Sequence, residues 1–197
     1  MLYFKRKYFD KLSKKIGITF SKLSLSPNQW TLSSLILVVI SFYFLVNQNF
    51  LIATIVFAFT ISIDMIDGAV ARVTNRVTIF GGYLDTIIDR LIEFIMILGL
   101  FLNQYPDFII PINIWLLFLL FGSLMITYAK SSAFEKGMIK KELKGGGILE
   151  HPDRLILILA IILISNFSML YASYLIVITT ILVGITALQR FVIVIRG

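Results

Sequence analysis

The sequence predicts an all-α integral membrane protein with six transmembrane helices and an N-terminal cytoplasmic amphipathic interfacial helix. Hydrophobic residues make up 58% of the 197 residues, charged residues make up 15%, and the mean hydropathy is +0.93. This composition exceeds the apolar fraction of ordinary soluble domains. Six apolar stretches also approach the ~20 residues that cross a bilayer core. They cover residues 28–46, 50–66, 79–102, 108–129, 155–165 and 168–194, and the fifth is short unless it begins at Pro152.

The basic residues predict the orientation of these spans. The polar breaks at 47–49, 103–107 and 165–168 contain no Lys or Arg, and all 18 basic residues fall on the other side. By the positive-inside rule, that side and both termini face the cytoplasm at the plasma membrane. The same bias accounts for the net charge of +7, so no nucleic-acid partner is expected. The absence of cysteine excludes disulfides and thiolate metal sites.

The chain is expected to have two parts. Residues 1–26 place apolar side chains at helical intervals and basic side chains on the remaining face, which is typical of a helix at a membrane interface. Ser26 and Pro27 then form an N-cap and first-turn pair that starts the first span. Residues 27–197 are expected to form a single six-helix domain.

Four aspartates in the second and third spans predict a metal site. Asp64 and Asp67 are three residues apart and project from one helical face. Asp85 and Asp89 follow Gly81 in a stripe spaced by four. An ionised aspartate near the centre of a membrane helix costs about 2.5–3.5 kcal/mol, so four at one level imply a compensating cation. The short connection 73–80 predicts that the two spans are antiparallel neighbours with both aspartate pairs at one depth.

The types of ligand predict the metal and its chemistry. Four carboxylates balance two divalent cations, and oxygen ligands without histidine or cysteine favour Mg²⁺ or Mn²⁺, two per active site. Two such ions suit displacement at phosphorus. Gly68 and Ala71 would let a ligand approach closely, and Arg72 can reach a phosphate. Structural ion pairs and divalent-cation transport are the alternatives, and the clustering of the aspartates at one membrane face disfavours transport.

The motif D-x-x-D-G-x-x-A-R-x8-G-x-x-x-D-x-x-x-D, which spans residues 64–89, resembles the signature of the CDP-alcohol phosphotransferase family at every defined position. The resemblance implies a membrane enzyme, usually a homodimer, that moves a substituted phosphate from a CDP-linked alcohol to a second alcohol and releases CMP. It implies that Asp89 binds metal and acts as the general base. The other implied metal ligands are Asp64, Asp67 and Asp85. The implied CDP-binding residues are Asp64, Gly68, Ala71, Arg72 and Gly81.

A second stretch, residues 128–154, bears on the acceptor alcohol. It is most similar to the branch of the family that uses inositol phosphate, in which basic residues hold the phosphate of the acceptor. Lys130 and Arg154 match two of these positions. Ser132 stands where another basic residue is expected, and His151 replaces an arginine. The resemblance implies that these four residues bind the acceptor and that the donor is a CDP-lipid. Glycerol 3-phosphate and serine stay open as acceptors, and acyl and isoprenoid tails stay open for the donor.

Overall fold

The structure, a computed structural model, describes residues 15–23, 25–139 and 147–196, and within them it is all-helical, as predicted. Residues 15–20 are helical, and long helices follow. The long helices are α1 (Pro27–Val46), α2 (Phe50–Val73), α3 (Ile79–Phe101), α4 (Ile112–Glu135), α5 (His151–Ser165) and α6 (Met169–Arg196). The only extended pairing in the described residues is an isolated bridge between Phe108 and Ile110.

Four of the described helices, α1, α2, α4 and α6, are long and apolar enough to cross a membrane. Helix α3 has 23 residues but includes Asp85, Asp89, Arg90 and Glu93. Helix α5 has 15 residues, a length of roughly 22 Å at 1.5 Å per residue. The count of six spans therefore stays a prediction, although α5 does begin early enough to include Pro152.

The outer surface of the helices is strongly apolar. Large side chains such as Ile36, Phe59, Phe121 and Leu188 are each more than 60% exposed. Exposed apolar patches of this extent need a nonaqueous environment or a partner to cover them. Together with the apolar length of the helices, this surface identifies the chain as a membrane protein.

Local sequence determines where two helices begin. At the start of α1, the Ser26 hydroxyl accepts a hydrogen bond from the Gln29 N–H, while the Ser26 N–H donates to Gln29 Oε1 at 2.7 Å. This capping box confirms the predicted start at Ser26 and Pro27. At the start of α5, the Glu150 N–H donates to Asp153 Oδ2 at 2.9 Å, which makes His151 the first helical residue.

Helix α1 packs against both α2 and α3, while α4 packs against α6, and α5 against α2 and α6. Their shared core includes the fully buried side chains of Val38, Phe57, Met96, Leu116 and Ile161. Within the described residues, α2 and α3 do not pack closely on each other. Each of the two helices packs on α1 instead, and a cleft lies between them at the end where α2 stops and α3 starts. The predicted shared depth of the aspartates is confirmed across this cleft, because carboxylate oxygens of Asp64 and Asp67 on α2 and of Asp85 on α3 lie within 4.8 Å of one another.

The N-terminal segment docks beside this cleft. Gly17 approaches α2 so closely that a Cβ atom there would lie 2.5 Å from the Ala69 carbonyl oxygen. The Phe20 ring meets Trp30 of α1 edge to face, with centroids 5.6 Å apart. Most of the predicted amphipathic segment, residues 1–14, lies outside the described residues, so the interfacial helix also stays a prediction.

Candidate active site

A cavity of about 330 Å³ lies in the cleft where α1 begins, α2 ends and α3 begins. Six of the predicted site residues line it, namely Asp67, Gly68, Ala71, Arg72, Gly81 and Asp85. The rest of its wall consists of Pro27, Asn28, Thr31, Arg76, Val77, Thr78 and Gly82. The wall thus combines carboxylates, arginines and small residues, which is a composition suited to a charged ligand that also carries a metal.

Three of the predicted metal ligands converge, and two of them, Asp67 and Asp85, line this cavity. Asp64, Asp67 and Asp85 each offer a carboxylate oxygen, and these oxygens all lie within 4.8 Å of one another. Asp67 is only 5% exposed. Like charges at this separation repel strongly when water is largely excluded. Clustered carboxylate oxygens are the ligands that hard divalent cations prefer, so the residues fit the predicted metal.

Thr31 of α1 supports this carboxylate cluster, and sequence reasoning did not single it out. Its hydroxyl donates to Asp67 Oδ2 at 2.6 Å, and the Thr31 residue is 6% exposed. The Pro27 carbonyl oxygen is farther from the same hydroxyl, at 3.1 Å. Because a hydroxyl has only one hydrogen to donate, the shorter contact fixes the orientation of the Asp67 carboxylate.

Asp89 lies at the inner edge of the cluster. Its carboxylate is close enough to that of Asp64 on α2 for the two to interact electrostatically. On its other side, the His151 Nε2 atom is 3.4 Å from Asp89 Oδ2. The predicted general base therefore connects the carboxylate cluster with the start of α5.

Two glycines make room for polar groups at the cavity. A Cβ atom at Gly81 would lie 2.9 Å from Thr78 Oγ1 and 3.3 Å from Asn28 Oδ1. The Thr78 hydroxyl caps α3 by accepting from the Gly81 N–H at 2.9 Å. A Cβ atom at Gly68 would lie 3.4 Å from Arg72 Nη1, so the guanidinium group rests over this glycine.

A second polar cluster lies beyond Asp89, and it includes Arg90 together with Glu93, which sequence reasoning missed. Glu93 is 2% exposed and accepts from Arg154 Nε at 2.8 Å and from Arg90 Nη1 at 2.7 Å. Arg154, a predicted acceptor-binding residue, is itself 2% exposed. Its acceptor-binding role stays a prediction, and its contacts in the structure are with Glu93 and His151.

Lys130 and Ser132 lie in the last two turns of α4, and both are half-buried. Among the described residues, neither belongs to the cavity wall. Residues 140–146 of the connection to α5, which include most of its lysines and two of its three consecutive glycines, lie outside the described residues. The acceptor-binding roles of Lys130 and Ser132 stay predictions.

Comparison with known proteins agrees with the family resemblance of the aspartate motif. A family model described as CDP-alcohol phosphatidyltransferase matches residues 24–188. The archaetidylinositol phosphate synthase of Pyrococcus horikoshii is 32% identical over 150 residues, which are 74% of this chain and 73% of that protein.

Two crystal structures of Mycobacterium tuberculosis phosphatidylinositol phosphate synthase share the fold. The structure with CDP-DAG bound gives a TM-score of 0.77 at 25% identity and covers 93% of this chain and 94% of that chain. The structure in complex with manganese and citrate gives a TM-score of 0.78 at 26% identity and covers 92% of this chain and 88% of that chain.

Proposed function

Since the chain belongs to the CDP-alcohol phosphatidyltransferase family, we propose that it transfers a phosphatidyl-type or archaetidyl-type group from a CDP-lipid to inositol phosphate and releases CMP. The observation that carries this proposal is the meeting of Asp64, Asp67 and Asp85 within 4.8 Å at a cavity that also contains Arg72. The archaeal and mycobacterial relatives, which are named as inositol phosphate lipid synthases, support the choice of acceptor.

The carboxylate cluster is proposed to hold two Mg²⁺ or Mn²⁺ ions, with ligands from Asp64, Asp67, Asp85 and Asp89. The manganese in the mycobacterial structure supports this assignment. When bound, the two ions would neutralise charge on the phosphoryl oxygens and on the leaving group. Thr31 holds Asp67 in one orientation and thereby keeps one ligand of the site in place.

The cavity at the cluster is proposed to take the CDP moiety. Its volume of about 330 Å³ falls at the lower end of the range of ligand sites. Because Gly68 and Gly81 have no side chain and Ala71 has only a methyl group, a nucleotide can lie close to the backbone there. Arg72 can donate two parallel hydrogen bonds to the diphosphate. The lipid tails would then leave the cleft sideways, between helices.

The proposed reaction is a displacement at the phosphorus that bears the lipid. The hydroxyl oxygen of the acceptor attacks this phosphorus, and the bond from the phosphorus to the oxygen bridging it to the cytidine phosphate breaks. Asp89 accepts the hydroxyl proton, and CMP leaves with the bonding electron pair. The lipid phosphate is then joined to the acceptor oxygen.

The acceptor is proposed to lie between Asp89 and the cytoplasmic ends of α4 and α5. Lys130, Ser132, His151 and Arg154 would form this side of the site. The position of the His151 Nε2 atom, 3.4 Å from Asp89 Oδ2, supports it, because an acceptor hydroxyl must also reach Asp89. Positive charge here favours a phosphorylated acceptor over serine or free inositol.

In the membrane, α3 and α5 are proposed to span together with the four longer helices, after an interfacial helix in residues 1–26. The six-helix domain would then comprise residues 27–197. The distribution of basic residues supports a plasma-membrane protein with its active site and both termini facing the cytoplasm. Family resemblance supports a homodimer.

The test is CMP release by purified protein with Mg²⁺ or Mn²⁺. CDP-diacylglycerol and CDP-archaeol are offered as donors, each with inositol 1-phosphate, glycerol 3-phosphate, serine or free inositol. We expect release that depends on inositol phosphate, and the donor that supports it identifies the lipid class. Release that requires glycerol 3-phosphate or serine instead would overturn the acceptor assignment. Divalent-cation flux through vesicles without any CMP release would overturn the enzymatic proposal.

A further inference from the structure

Glu93 occupies an unusual place, one helical turn beyond Asp89 on α3. It is 2% exposed, and its two carboxylate oxygens accept hydrogen bonds from two arginines, with a histidine ring close by. Arg154 Nε lies 2.8 Å from Oε1, and Arg154 Nη2 lies 3.3 Å from Oε2. Arg90 Nη1 lies 2.7 Å from Oε2, and His151 Nδ1 lies 3.6 Å from the same oxygen. Such a buried carboxylate is costly unless it is paired in this way.

The two arginines that Glu93 holds also meet at His151. Arg90 Nη2 lies 2.6 Å from His151 Nδ1, and Arg154 Nη2 lies 3.4 Å from the same nitrogen. A guanidinium group has donors and no acceptor, so Nδ1 must be the acceptor in these contacts. In the neutral imidazole the hydrogen is then on Nε2, because the partner of one ring nitrogen sets the state of the other.

The Nε2 atom of His151 faces the predicted base. It is buried, it lies 3.4 Å from Asp89 Oδ2, and it makes no well-formed hydrogen bond to a described residue. Arg90 Nη2 is farther from the same carboxylate oxygen, at 4.0 Å. His151 is therefore the donor nearest to Oδ2 among these groups, and the other oxygen of Asp89 can face an incoming hydroxyl.

We propose that Glu93 is a positioning residue for the reaction: it holds Arg90 and Arg154 against His151 Nδ1, and it thereby keeps the Nε2 edge of the His151 ring beside Asp89 Oδ2. The proposal rests on the proposed function in one respect, that Asp89 is the base. It gives buried Arg154 an indirect part in the reaction, through His151. It also gives a reason why histidine can occupy this position, since its two ring nitrogens link the arginines to the aspartate.

The first test is a spectrum that does not depend on activity. His151 is the only histidine in the chain, so protein labelled with ¹⁵N-histidine reports this ring alone. In the neutral ring we expect the hydrogen on Nε2 and an unprotonated, hydrogen-bonded Nδ1. A hydrogen on Nδ1 in the wild-type protein would overturn the proposal, whether or not CMP release is observed. Because of this readout, failure of the proposed function and failure of the positioning role are distinguishable.

The second test is Glu93→Gln, with Glu135→Gln as the matched control at an exposed position of α4. We expect Glu93→Gln to shift the Nδ1 signal and to lower kcat by roughly tenfold or more, the loss expected for one charge-assisted hydrogen bond. The KM for the CDP-lipid should stay unchanged, and Glu135→Gln should leave both signal and kcat unchanged. A Glu93→Gln protein with lowered thermal stability but wild-type kcat and spectrum would show a merely structural pair. If this variant does not fold, the wild-type spectrum still decides.

Discussion

Single residues divide the site into the carboxylate cluster and the side proposed for the acceptor. Asp64, Asp67 and Asp85 share one cluster of oxygens within 4.8 Å. Asp89 sits between this cluster and His151, whose Nε2 atom lies 3.4 Å away. The aspartates are therefore not equivalent, and substitutions at them should have different effects on metal binding and on turnover.

Asp89→Asn should abolish most turnover while leaving a folded protein. The amide cannot accept the proton of the acceptor hydroxyl, and loss of a general base costs about 10²–10⁴-fold in rate. The measurement is kcat from CMP release, together with thermal unfolding to establish that the variant is folded. Near-wild-type turnover would contradict the assignment of Asp89 as the base.

Thr31→Val should weaken metal binding, and Thr31→Ser should not. Valine has the shape of threonine but cannot donate to Asp67 Oδ2, whereas serine keeps the hydroxyl that makes the 2.6 Å contact. Loss of a residue that orients a metal ligand typically costs about 10–100-fold in affinity. Mn²⁺ titration followed by electron paramagnetic resonance checks this without substrate. Equal Mn²⁺ affinity in the two variants would contradict the positioning role of Thr31.

Lys130→Ala should raise the KM for the acceptor and leave binding of the CDP-lipid intact. The ammonium group is proposed to contact the acceptor phosphate, and loss of one charge-assisted hydrogen bond corresponds to roughly 1.5–3 kcal/mol. Initial rates at varied inositol phosphate, with CDP-lipid saturating, give this constant. An effect confined to the KM of the CDP-lipid would place Lys130 on the donor side instead.

At the scale of elements, the starts of α1 and α3 both line the cavity, and Gly81 of α3 lies close to Asn28 of α1. A methyl group at Gly81 would lie 2.9 Å from Thr78 Oγ1 and 3.3 Å from Asn28 Oδ1. At Gly82, the next residue, a Cβ atom would meet no atom of the described residues within 4 Å, apart from its chain neighbours and the backbone of its own helix. The two glycines thus give a matched pair of positions in the first turn of α3.

Gly81→Ala should lower the thermal stability of the protein, because Thr78 or Asn28 must move from its place. Gly82→Ala should leave it unchanged or raise it, since alanine favours the helix by about 0.5–1 kcal/mol over glycine. Thermal unfolding of the purified proteins in one detergent makes the comparison. If Gly81→Ala is as stable as Gly82→Ala, the close approach of α1 to Gly81 does not constrain the site.

Periodicity and capping signals explain how much of these elements could be predicted. Local sequence predicts the helices and the Ser26 cap. The short connection 73–80 and the spacing of the aspartates predict that Asp64, Asp67 and Asp85 meet. The bond from Arg154 to Glu93 joins residues 61 positions apart, and Thr31 reaches Asp67 across 36 positions, so no local signal reveals either partner. Glu93 itself had a signal, because it extends the four-residue spacing of Gly81, Asp85 and Asp89 by one step.

The connections between helices determine how the whole molecule sits in the membrane. With α3 and α5 spanning, exposed residues Asn49, Gln104 and Asn166 belong to one end, and Val77 and Lys136 belong to the end with the cavity. Since the chain has no cysteine, single cysteines can be introduced at these positions without any background. A membrane-impermeant maleimide then reports the side of each one.

We expect intact cells to label Asn49→Cys, Gln104→Cys and Asn166→Cys from outside, and to protect Val77→Cys and Lys136→Cys. Labelling of all five after the cells are opened is the control for accessibility. This outcome follows from six spans with the site facing the cytoplasm. Protection of Gln104→Cys or Asn166→Cys in intact cells would mean that α3 or α5 does not cross the membrane.

The central claim is that one molecule of acceptor alcohol displaces one molecule of CMP from a CDP-lipid at the aspartate cluster. The most direct measurement is mass spectrometry of both products from one reaction containing CDP-lipid, inositol 1-phosphate and Mn²⁺. We predict equal amounts of CMP and of lipid-linked inositol phosphate, with neither product formed by Asp89→Asn. CMP in excess, with lipid phosphate in place of the inositol phosphate lipid, would show that water is the acceptor and would contradict the claim.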